Sequence, residues 1–88
     1  MYQSLRGDEV IATVLDEVVN LKGWDAASIY PEQCLGKDLE MTGAEVALFA
    51  ERLSKRFRAG GTFDCKEWSE FSLRQVVALI RTAFLRAA

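Results

Sequence analysis

Eighty-eight residues, half of them hydrophobic and 27% charged, suffice for one domain with a modest core and exclude a disordered chain. A net charge of −2, no bilayer-spanning apolar run, no signal peptide and no lipidation motif lead us to expect a soluble, cytoplasmic monomer without nucleic-acid or membrane partners. The chain has no histidine, which removes imidazole bases, Ser-His and Cys-His pairs and His-containing metal sites.

In chain order, Met1 to Gly7 reads as a loose leader. From Asp8, apolar residues at Val10, Ile11, Val14, Leu15, Val18, Val19 and Leu21 make a helical stripe. Asp8 is a candidate N-cap and Gly23 a C-terminal stop. Asp16 and Glu17 fall on the outer face together with Asp8 and Glu9. Adjacent residues diverge by about 100° around a helix, so the pair reads as solvated acids rather than an acid–base couple.

Residues 22–39 form a long connection holding the only proline, Pro31. A loop this long needs its own anchors, and Trp24, Ile29, Tyr30 and Leu35 can supply them. Trp24 and Tyr30 as a ligand-stacking surface is the less common alternative. Thr42 and Glu45 then form a capping box: the Thr hydroxyl accepts from the Glu45 N–H and the Glu carboxylate from the Thr42 N–H. The second helix runs from Gly43 to about Phe57, with Val46, Phe49, Ala50, Leu53 and Phe57 inward.

Charge is divided unevenly. Residues 1–51 carry ten acids and three bases, residues 52–88 three acids and eight bases. Part of that excess is the cluster Arg52, Lys55, Arg56 and Arg58, which complements the helix dipole and would also suit an acidic partner. Gly60-Gly61 is expected to end the helix; as an isolated pair it makes no phosphate loop. Asp64 caps a short turn through Trp68, with Phe63 and Trp68 facing the core. Ser72 and Gln75 form a second capping box ahead of Leu73, Val76, Val77, Ile80 and Phe84, with Arg74, Arg81 and Arg86 outside. Cys34 and Cys65 are far apart in sequence and lack metal-ligand spacing, so they read as small buried thiols in a reducing cytosol. The expected fold is an all-α bundle of three long helices and a short one, as a single domain over 1–88.

That layout resembles the acyl carrier proteins and the related peptidyl carrier domains, along nearly the whole chain. The family's pattern Asp-Leu-Gly-x-Asp-Ser-Leu at the start of its second helix aligns without gaps on Asp38-Leu39-Glu40-Met41-Thr42-Gly43-Ala44. Gly23, Ile29 and Leu35 match the glycine and apolar anchors of its loop, and Phe71-Ser72-Leu73 matches the entry to its last helix. The resemblance implies a four-helix bundle whose serine carries 4′-phosphopantetheine in fatty acid or polyketide biosynthesis. Here that position is Gly43, which has no nucleophilic atom.

The expectation is therefore a carrier-like protein without a prosthetic group, not an enzyme, that binds a protein partner of acyl or secondary-metabolite biosynthesis. Glu40, Met41, Glu45 and Val46, around the start of the second helix, are the candidate partner contacts. For Met41 the preferred role is a hydrophobic staple onto Val46. One alternative is a working carrier modified at Thr42; another is an unrelated small helical adaptor. No catalytic or metal-binding residue is assigned.

Overall fold

A computed structural model describes the backbone of residues 7–87 and the side chains of residues 9–83. Most of the expected leader, together with the side chains of Asp8, Phe84 and Arg86, lies outside the described residues. Three helices carry the fold: α1 (Gly7–Lys22), α2 (Gly43–Arg56) and α3 (Leu73–Ala87). Two 3-10 turns, Ala26–Ser28 and Trp68–Glu70, interrupt the connections. No strand occurs among the described residues, only an isolated bridge between Cys34 and Ser72. The chain is helical, as its periodicity implies.

Each helix turns the described part of its stripe to the core, with Ile11, Leu15, Val19, Leu21 and Phe57 only partly buried at its edge. Val10, Val14 and Val18 of α1 meet Val46, Phe49, Ala50 and Leu53 of α2 and Leu73, Val76, Val77 and Ile80 of α3 in one core. Trp68 closes it, with its ring edge-on to Phe49 at 6.1 Å between centroids. Such an aromatic pair adds about 0.5–1.5 kcal/mol to the burial of its area.

The ends of the helices differ in how closely they follow expectation. α1 begins at Gly7, so Asp8 lies in its first turn rather than at the cap. It stops where expected: Gly23 takes φ 73° and its N–H bonds to Val19 O at 2.8 Å. A left-handed residue there costs glycine nothing. α2 ends before Gly60-Gly61. Arg58 takes the left-handed conformation at φ 53°, with Arg58 N on Lys55 O at 3.2 Å and Ala59 N on Ser54 O at 2.9 Å. The glycine pair follows a stop already made by the backbone of an arginine. The short helix is also displaced: Asp64 accepts from Lys66 N at 3.2 Å in a local turn, and the 3-10 turn forms later, at 68–70.

The long connection is tied by backbone rather than by the anchors alone. Leu35 N bonds to Phe71 O, Gly36 N to Ser69 O, Leu73 N to Gln33 O and Arg74 N to Pro31 O, at 2.8–3.0 Å. These bonds stitch residues 31–36 antiparallel to 69–74. At Gly36 the two segments approach so closely that a Cβ would lie 2.9 Å from Ser69 O. Ile29, Leu35 and Leu39 are buried and Trp24 packs against the core, but Tyr30 is 57% exposed. Tyr30 opens the turn at Pro31-Glu32, its N–H held by Gln33 Oε1 at 2.7 Å, and this turn leaves its ring in solvent.

Candidate functional site at the start of the second helix

The start of α2 is assembled from three separate stretches. Asp38 ties the approach: its Oδ2 accepts from Cys34 N at 2.8 Å, while its own N–H bonds to Cys34 O. Leu39 is buried and pins the chain. Thr42 then caps the helix in full. Its Oγ1 accepts from Glu45 N at 3.2 Å, and Glu45 Oε1 accepts from Thr42 N at 2.9 Å. Two orphan donors are satisfied, a contribution of roughly 1 kcal/mol.

Lys22, at the end of α1, was not legible as part of this site. Its Nζ donates to Glu45 Oε1 at 3.3 Å and to Glu40 O at 3.2 Å, and stands 5.9 Å from the Trp24 ring centroid. One ammonium thus joins the C-terminus of α1, the loop and the N-terminus of α2. The Thr42 N–H and then Lys22 hold the Glu45 carboxyl below its ordinary pKa. The only sequence signal was a base in the last turn of α1, which the helix dipole explains by itself.

The expected contact residues fall into two groups. Met41 and Val46 are 6% and 4% exposed and belong to the core, the staple position rather than a partner surface. Glu40 is exposed, while Glu45 is half-buried and occupied by Thr42 and Lys22. Beside Glu40 the outer face of α2 presents Gly43, Ala44, Ala47 and Leu48, and Leu48 is 40% exposed. This uncharged face was missed because Ala is compatible with either side of a helix.

Two backbone features define the site's geometry. Glu40 adopts φ 56°, the left-handed region that a non-glycine residue enters at a cost of roughly 1–2 kcal/mol. Gly43, the first residue of α2, is exposed, and a Cβ built there meets nothing within 4 Å. A side chain at this position would stand clear in solvent at the N-terminus of the helix. Thr42 is exposed too, with its hydroxyl already accepting the cap bond.

At the other end of α2 the basic cluster is largely engaged with α1. Arg56 Nη1 donates to Asp16 Oδ2 at 2.7 Å and to Glu17 Oε2 at 3.0 Å, and Arg52 Nη1 lies 3.6 Å from Glu17 Oε1. The two carboxylates push the Arg56 pKa further up. Glu17 is not a solvated acid: it is 5% exposed, and its Oε1 is buried without a hydrogen-bond partner in the structure. Lys55 pairs with Glu51 along the helix at 3.4 Å.

Among the described residues no group of three or more Cys, Asp and Glu is placed to hold a metal ion. No helix among them is long and apolar enough to cross a membrane. The chain matches no protein-family model, no curated protein and no solved structure.

Proposed function

We propose that this chain is a carrier-like helical domain that holds no phosphopantetheine and works by binding another protein through the start of α2. The observation that carries the reading is Gly43: an open, exposed position at the first residue of a fully capped helix, without a nucleophile. Phosphate groups favour such a helix start, yet Gly43 offers no atom to esterify. The left-handed Glu40 supports the resemblance, because it falls where the carrier pattern has glycine, the residue that conformation favours. The order of elements and the long tied first connection support it as well.

The partner surface in this reading is Glu40 with Ala44, Ala47 and Leu48. An acid beside a shallow apolar face suits a partner that offers an apolar side chain and a base, in acyl or secondary-metabolite biosynthesis if the resemblance extends to pathway.

Intact mass spectrometry tests the proposal. Incubation with coenzyme A and a broad-specificity phosphopantetheinyl transferase is expected to add nothing to the wild-type chain, whereas Gly43→Ser accepts the group. Addition to the wild type that disappears in Thr42→Val overturns the proposal in favour of a working carrier. Glu40→Lys with Leu48→Glu is expected to abolish partner capture, while Lys55→Glu with Arg58→Glu leaves it intact. Arg52 and Arg56 make poor controls, since reversing them places acids against Glu17.

A further inference from the structure

Lys22 is engaged more closely than a base at the end of a helix needs to be. The dipole of α1 asks only for positive charge near its last turn. The Lys22 Nζ instead crosses to two distant stretches. It donates to Glu40 O at 3.2 Å, 18 residues on, and to Glu45 Oε1 at 3.3 Å, 23 residues on. Its remaining side faces the Trp24 ring, 5.9 Å from the centroid. An ammonium has three N–H donors, and these three neighbours account for them. The Lys22 side chain is only 14% exposed, so it offers a partner almost no contact of its own.

What Lys22 touches is the turn that presents Glu40. The peptide linking Glu40 to Met41 is held at both ends, its carbonyl by Lys22 and its N–H by Leu35 O at 3.0 Å. The bond from the ammonium is charge-assisted and so the stronger of the two. For a residue with a Cβ the left-handed region is small, and turning this peptide carries Glu40 out of it. The same ammonium covers the Glu45 carboxylate, whose Oε1 already accepts from Thr42 N at 2.9 Å. The Glu40 carboxylate, by contrast, has no hydrogen bond or ion pair among the described residues.

We propose that Lys22 is the positioning residue of the partner surface: it holds the Glu40 turn and occupies Glu45, so that a partner's base meets Glu40 alone at the start of α2. This rests on the partner surface proposed above and adds the residue that sets its shape and charge. The end of α1 thereby governs what α2 presents, through an ammonium that stays out of the contact itself.

Proton and carboxyl NMR of the chain alone tests this role. At φ 56° the amide and Hα protons of Glu40 nearly eclipse, which gives a strong intraresidue NOE. That NOE is expected to weaken in Lys22→Met. It should return in Lys22→Met combined with Glu40→Asn, because asparagine tolerates the left-handed region. Glu45, held below its ordinary pKa by the Thr42 N–H and then Lys22, is expected to titrate higher in Lys22→Met. The core methyl signals of Val14, Val76 and Ile80 should stay in place. A Glu40 NOE that is weak in the wild type, or unchanged in Lys22→Met, overturns the proposal. So does an unchanged Glu45 titration. Displaced core methyls would make Lys22 a tie of the whole fold rather than a positioning residue, and overturn it as well. No partner, coenzyme A or transferase enters these measurements, so they can fail while the mass test of the proposed function holds, and the reverse.

Discussion

Glu40 and Thr42 stand two residues apart and show two different kinds of local physics. The Thr42 cap was legible because every atom of it lies within one turn: residue types at fixed spacing, meeting two orphan N–H groups. The second capping box was legible for the same reason, with Ser72 N on Gln75 Oε1 at 2.8 Å and Gln75 N on Ser72 Oγ at 3.2 Å. The left-handed backbone of Glu40 gave no sign in its side chain, since glutamate is not a residue chosen for that conformation. Glu40→Gly relieves the strain but adds disorder to the unfolded chain, for a net stabilisation of about 0.5–1 kcal/mol by urea denaturation. A gain in stability accompanied by lost partner binding is the outcome expected if Glu40 serves recognition.

At the level of helices, the pairing of α1 with α2 shows what periodicity misses. Asp16 and Glu17 diverge around α1, yet both reach one guanidinium, because Arg56 is long and approaches from the facing helix. Their partner lies about 40 residues away in sequence, so no local pattern pointed to it. Glu17 is buried, and a buried carboxylate without its partner is costly. Arg56→Met is expected to destabilise the fold by about 2–3 kcal/mol in chemical denaturation, with Arg52 limiting the loss. Glu17→Leu combined with Arg56→Met should recover most of it, since two apolar side chains leave no charge unpaired. Additive losses in the double variant would show that the ion pair is not what joins these helices.

For the molecule as a whole, the absence of histidine shapes the response to pH. No side chain has an ordinary pKa between about 5 and 8, so stability should be level across that range. On the acid side two ion-paired carboxylates matter. Glu45 is held low by the Thr42 N–H and then Lys22, and Glu32 chiefly by Arg74. A carboxyl whose folded pKa is depressed contributes stability above its unfolded value of 4.5 and loses it as pH falls through the folded one. Urea midpoints are therefore expected to be level from about pH 7.5 to 5.5 and to drop below about 4.5. Glu45→Gln with Glu32→Gln should flatten that drop, because glutamine can still accept the Thr42 bond and does not titrate. An unchanged acid limb would place the titrating groups elsewhere.

The seam between residues 31–36 and 69–74 has a consequence in the language of topology and exchange. By fastening Cys34 against Ser72 it encloses all of α2 in a closed circuit of chain. The circuit is closed mainly by backbone groups, so side-chain variation in the loop leaves it intact. It also makes α2 a passenger of the seam. The amide protons of Leu35, Gly36, Leu73 and Arg74 should share one opening event, and α2, whose start we propose as the partner surface, loses its frame when that event occurs.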